Sequence, residues 1–116
     1  MKRVLVVDDE REIREALVEL LLDEGYEVSS ASDGKEALQR LRELHPSVVL
    51  LDLMMPGMNG WQFRAAQMGD PDVSSIPVIV VSALGGDPAI GAQSSVEKPF
   101  DLAVLLSEVK RLTLVA

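Results

Sequence analysis

The sequence predicts an α/β fold, a five-stranded doubly wound parallel sheet, in a chain of 116 residues. Three observations carry that prediction. Uninterrupted apolar runs of strand length stand at 4–7, 48–51 and 78–81, and such runs read as strands covered on both faces, the situation inside a parallel sheet. Stretches with helical apolar spacing lie between the strand candidates, most of them with a start or stop signal. Strand and segment alternate five times, a pattern that right-handed crossovers wind into one sheet of order 2-1-3-4-5, with the first and third strands central.

Val4-Leu5-Val6-Val7 is the first strand and ends in acid, Asp8-Asp9-Glu10. The helix that follows sets Ile13, Leu17, Leu20 and Leu21 on one face, Glu15 and Glu19 largely on the other, and stops at Gly25. Tyr26 to Ala31 alternates as a strand does. Asp33 caps a second helix with Glu36 three residues on, in the manner of a capping box. Its buried stripe is Ala37, Leu38, Leu41 and Leu44, and His45-Pro46 ends it, because the residue before proline avoids helical geometry. Ser47 to Leu51 is the most continuous apolar strand, and it ends abruptly at Asp52. Asn59 caps a third helix over 60–68, with Gln62 placed to complete the box. Ile76 to Val81 is the fourth strand, with Pro77 tolerable only near its beginning, and it leads into Ser82-Ala83. The stretch 84–91 holds at most one helical turn, with Asp87 as cap and Pro88 first, so a fourth helix is shortened or missing. Ser94 to Glu97 makes a short last strand. Lys98-Pro99-Phe100 follows, and Asp101 caps a closing helix from Leu102 to Leu112 with Leu102, Leu105, Leu106 and Val109 as its stripe.

Apolar residues supply 47% of the chain and aromatics 3%, so one core of aliphatic side chains is expected, in a single domain over 1–116. A formal charge of −8 argues against direct nucleic-acid binding, where affinity rests on cations meeting phosphates. No apolar run reaches the length of a membrane span. The first residues enter a strand at once, leaving no room for a signal peptide, and there is no cysteine; the expected setting is cytoplasmic. The end of the chain, soon after the closing helix, reads as either a stand-alone domain or an excised one.

The topology collects charge at one edge. Asp8 and Asp9 leave the first strand and Asp52 leaves the adjacent third, while Ser82 ends the fourth and Lys98 the fifth. In open parallel sheets ligands bind beyond these carboxyl ends. Carboxylates so gathered repel one another and need a proton or a cation; hard oxygen donors in a site open to water suit Mg²⁺. A carboxylate nucleophile, a divalent ion, an ammonium and a hydroxyl together suit a phosphoryl group, whose transfer needs positioned attack and neutralised oxygens.

The motifs "VLVVDDE", "VVLLDLMMPGMNG", "PVIVVSA" and "VEKPF", in that order, resemble the receiver domain of two-component response regulators, and the resemblance runs the length of the chain, with its flavodoxin-like strand order. It implies that Asp52 is the phosphoacceptor and that Asp9, assisted by Asp8, holds Mg²⁺ together with Asp52 and the backbone carbonyl of Met54. It implies that Ser82 contacts the phosphoryl group, that Lys98 pairs with it, that the small Ala83 keeps the site accessible, and that a cis bond precedes Pro99. The implied function is phosphorelay signalling. A sensor histidine kinase or phosphotransfer protein donates the phosphoryl group, which is lost again by self-dephosphorylation rather than by turnover of an external substrate; a downstream effector protein or a homodimer reads the state. Such domains carry an aromatic switch residue three positions before the lysine. Here that position is Ser95, and the stretch from Ser82 to Gly91 is several residues short. The expectation is phosphorylation chemistry without the aromatic relay, the alternative being a receiver-like interaction module that is not phosphorylated. Flavodoxin-type electron carriage is disfavoured because Asp8-Asp9 stands where a phosphate loop belongs, and dehalogenase-type phosphatases need an Asp-x-Asp on the first strand. Of the remaining residues, His45 reads as a solvent-facing terminator, Met54, Met55 and Met58 as loop packing, and Trp61 as half-exposed near the acids, with fluorescence that should respond to Mg²⁺.

Overall fold

The structure is a computed structural model that describes residues 2–83, 87 and 90–114. Most of the single turn expected over 84–91, including Pro88 and the Gly85-Gly86 pair, lies outside the described residues. In chain order the elements are β1 (Arg3–Val7), α1 (Arg11–Asp23), β2 (Glu27–Ala31), α2 (Gly34–Leu44), β3 (Val48–Leu51), α3 (Gly60–Met68), β4 (Val78–Ser82), β5 (Ser94–Glu97) and α4 (Leu102–Thr113). Every strand pair is parallel, and the sheet order is β2-β1-β3-β4-β5. Among the described residues, the connection from β4 to β5 carries no α-helix, as the short stretch there predicted.

The strands alternate between two apolar layers because successive side chains leave a strand on opposite faces. Leu5, Val7, Val49, Leu51 and Val80 pack with Ala37 and Leu41 of α2 and Phe63 of α3. Val4, Val6, Val48, Leu50 and Val81 pack with Leu17 and Leu21 of α1 and Leu105 and Val109 of α4. Covering both faces in this way stabilises the sheet by about 1.5–3 kcal/mol for each Val or Leu withdrawn from water, which is why β1 after Arg3, and all of β3, carry no polar side chain until the chain leaves them.

Caps hold the helices in place. Asp33 accepts the Glu36 amide, but the Glu36 carboxylate reaches back to the amide of Ser32 rather than to that of Asp33, a displaced form of the predicted box. At α3 the box is complete: Asn59 accepts from the Gln62 amide, and the Gln62 side chain accepts from the Asn59 amide. Asp101 accepts amides of Ala103 and Val104 at α4. His45 closes α2 in the left-handed region at φ 45° and pairs with Asp72 at 2.9 Å on the surface. Three stripe residues fall outside the packed layers predicted for them. Leu102, in the first turn of α4, is exposed, and Leu20 of α1 and Leu44 of α2 are only partly covered.

Candidate functional site

The register of β1 on β3 sets Val7 beside Leu51. The next residue of each strand, Asp8 and Asp52, therefore leaves the sheet at the same level, with the Asp52 amide donating to the Val7 carbonyl at 2.9 Å. Both acids are buried, Asp8 with 2% and Asp52 with 4% of its surface exposed. Lys98 follows β5, and its ammonium reaches across the ends of β4 and β3 to donate to Asp8 Oδ2 at 2.8 Å. The same Nζ stands 3.6 Å from Asp52 Oδ2 and 3.7 Å from Glu10 Oε1.

Asp8 uses its other oxygen to accept the Glu10 amide at 2.9 Å, an Asx turn that leads the chain into α1. Asp9, between them, is exposed. Oxygens of Asp8, Glu10 and Asp52 come within 4.8 Å of one another. The structure thus gathers Asp8, Asp52 and Lys98 as the sequence led one to expect, adds Glu10, and leaves Asp9 outside this group, acting on Asp52 through its charge. Neither aspartate is consumed in capping α1: the cap position is Glu10, with no side-chain bond.

Burial raises Asp52 from the usual 3.8 to about 6, and the charges of Asp8 and, less strongly, Asp9 push the same way; Lys98 and the Met54 amide, 3.2 Å from Asp52 Oδ1, restrain it. At Lys98, burial works against the charged form, but the hydrogen bond to Asp8 and the charges of Asp8, Asp52 and Glu10 outweigh it and hold the group above its ordinary value. One ammonium faces three carboxylates, so the pocket keeps an excess of negative charge that a cation or a proton would relieve. Its donors are all hard carboxylate oxygens, a set that fits Mg²⁺.

Ser82 is buried at the end of β4, and its carbonyl accepts the Lys98 amide at 2.9 Å. Ala83 is exposed and lines an open cleft of about 500 Å³ with Glu10, Ile13, Lys98, Pro99 and Phe100. The Lys98–Pro99 bond is cis. Met55 is buried, Met58 partly so, and Met54 is exposed beside Asp52. The first turn of α3 sits directly on the Asp52–Leu53 backbone. The Gly60 amide donates to the Leu53 carbonyl at 3.0 Å, and a Cβ at Gly60 would lie 2.7 Å from Leu53 Cα and 2.8 Å from the Asp52 carbonyl oxygen. Only glycine allows so close an approach.

Trp61, expected near the acids, is half-buried and donates its indole N–H to Asp87 Oδ2 at 2.9 Å. Sequence reasoning missed Arg64 and Gln67, which are buried. Arg64 donates to the carbonyls of Ile90 and Gly91 and to Gln67 Oε1; Gln67 donates to the carbonyls of Val73 and Ile76. The signal existed: 60, 63, 64 and 67 share one helical face, but two of the four residues are polar.

The sequence matches the response regulator receiver domain family over residues 4–110. It is 39% identical over 115 residues to response regulator RR06 of Streptococcus pneumoniae, a match that covers 94% of this chain and 52% of that protein. It is 36% identical over 115 residues to the DNA-binding response regulator MtrA of Mycobacterium tuberculosis, with 94% and 49% covered. The chain therefore spans about half the length of these two relatives. Among solved structures, the chemotaxis protein CheY4 of Vibrio cholerae superposes with a TM-score of 0.88 at 33% identity, over 97% of this chain and 98% of that one.

Proposed function

The chain belongs to the response regulator receiver family, and from that premise we propose that it accepts a phosphoryl group onto Asp52 from a phosphohistidine of a sensor kinase or phosphotransfer protein. One observation carries the reading: Asp8, Glu10 and Asp52, which follow the ends of two adjacent strands, share a pocket with, among the described residues, a single ammonium, that of Lys98. An Asp52 oxygen attacks phosphorus, the bond from phosphorus to the donor's imidazole nitrogen breaks, and that nitrogen keeps the electron pair. Water later hydrolyses the acyl phosphate and returns the carboxylate. Asp52 is ionised above about pH 6 and is then a competent nucleophile. Lys98 lies close enough to exchange its contact with Asp52 for one with a phosphoryl oxygen. Ser82, at the end of the neighbouring strand, supplies the hydroxyl donor.

The divalent ion belongs to the same proposal. Asp8 and Asp52, with Asp9, Glu10 and the Met54 carbonyl, would hold Mg²⁺, which when bound supplies positive charge to the phosphoryl oxygens. The altered state is passed to a downstream effector protein or a second copy of the chain, in a cytoplasmic setting. Among the described residues no helix is long and apolar enough to cross a membrane.

The test is intact mass after incubation with Mg²⁺ and acetyl phosphate. The expected result is one phosphoryl adduct that requires Mg²⁺ and is absent from Asp52→Asn. An adduct of equal yield in Asp52→Asn would move the acceptor elsewhere, and no adduct under any donor would leave an interaction module.

A further inference from the structure

Helix α3 joins the acceptor to the segment that follows β4. Its first residue, Gly60, rests on the Asp52–Leu53 backbone with no slack. Its second, Trp61, holds Asp87 through the indole N–H at 2.9 Å. One turn on, Arg64 donates to the Ile90 carbonyl at 3.1 Å, the Gly91 carbonyl at 2.8 Å and Gln67 Oε1 at 2.8 Å. Gln67 in turn binds the carbonyls of Val73 and Ile76, on the segment that leads into β4. The connections on both sides of β4 are therefore tied to one short helix, and that helix is seated on the peptide of Asp52.

Arg64 is 4% exposed, and its guanidinium has, among the described residues, no carboxylate within ion-pair distance. Burial accordingly lowers its pKa. Oriented neutral oxygens take the place of water around it, and they do so only while residues 90 and 91 remain where they are. Such a group favours one discrete arrangement of the connection over intermediate ones. At Ser95, on β5, the side chain is too small to perform an aromatic relay.

Resting on the reading of Asp52 as phosphoacceptor, we propose that α3 is the switch element of this domain. Trp61 and the Arg64–Gln67 pair clamp Asp87, Ile90 and Gly91 in the unphosphorylated state, and a phosphoryl group on Asp52 must work against that clamp. The group adds acceptor oxygens and charge to the residue whose backbone carbonyl lies against Gly60, and a displacement of the Asp52–Leu53 peptide passes into the helix that carries Trp61 and Arg64. By linkage, whatever loosens the clamp strengthens binding of a phosphoryl mimic by the same factor.

The experiment follows amide and indole resonances of the full chain during titration with beryllofluoride at saturating Mg²⁺, for wild type, Trp61→Phe and Arg64→Met. Trp61→Phe removes the indole donor yet keeps an aromatic ring, so the test survives if Arg64→Met fails to fold. In the wild type, beryllofluoride is expected to shift the Trp61 indole N–H and the amides of Ile90 and Gly91 together with that of Asp52. Trp61→Phe is expected to bind beryllofluoride about fivefold more tightly or better. Shifts confined to the neighbourhood of Asp52, or unchanged affinity in Trp61→Phe, would overturn the clamp and leave the acceptor assignment standing. No shift anywhere would overturn both.

Discussion

Lys98 and Arg64 are both withdrawn from water, and they are stabilised in opposite ways. Lys98 sits among the carboxylates of Asp8, Glu10 and Asp52, a set with more negative charge than it can neutralise. Arg64 sits among the carbonyls of Ile90 and Gly91 and the amide of Gln67, all neutral. The difference separates two jobs. A pocket with excess charge is made to exchange partners, since an incoming cation or phosphoryl group alters its balance. A cation held by fixed dipoles is made to keep the backbone in one place. The first region is open to the ionic conditions of the solution; the second responds only to movement of the chain.

The sharpest way to break that contrast is Lys98→Met. Removing the ammonium leaves buried carboxylates facing one another, which is expected to cost about 3–5 kcal/mol near neutral pH. Mg²⁺ should restore part of the loss. Denaturant midpoints with and without Mg²⁺ measure both, and a variant whose loss Mg²⁺ does not reduce would argue against a cation site.

Ionisation of Asp52 comes next. Its value is raised in the fold, from 3.8 to about 6, so between those values the folded state binds more protons than the unfolded one. The contribution of Asp52 to the stability of the metal-free protein is therefore greatest below about pH 4, falls as pH rises through about 6, and levels off above it, by up to about 3 kcal/mol. Asp52→Asn should remove this dependence and be the more stable protein at pH 7. Urea midpoints across pH 4–8 for the two proteins test it; parallel profiles would assign the dependence to other groups.

Arg64→Met orphans three acceptors but also relieves the desolvated charge, so about 2 kcal/mol is expected. Unlike the loss at Lys98, it should be as large with Mg²⁺ as without. The smallest effect belongs to the surface pair of His45 and Asp72, where Asp72→Asn should change the unfolding midpoint by no more than a few tenths of a kcal/mol.

Much of this molecule is legible in its residues taken alone. The apolar runs at β1, β3 and β4 could only be strands covered on both sides, Asp33, Asn59 and Asp101 announced three helix starts, and acids closing two strands of a parallel sheet had to share an edge. Those features follow from local rules, namely the two-residue period of a strand, the unpaired amides of a helix end and the direction of a parallel chain. Arg64 and Gln67 were not legible, because arginine and glutamine in a helix ordinarily face water. Their burial depends on carbonyls at 73, 76, 90 and 91, which the sequence lists but does not bring near.

The same division holds for the acids. Local sequence determined that Asp8 and Asp52 end neighbouring strands. That Glu10 rather than Asp9 joins them within 4.8 Å depends on the turn in which Asp8 accepts the Glu10 amide together with the register that sets the end of β1 beside the end of β3. Strand and cap signals act over a few residues and survive in the unfolded chain, whereas a buried cation's partners exist only after distant segments have packed.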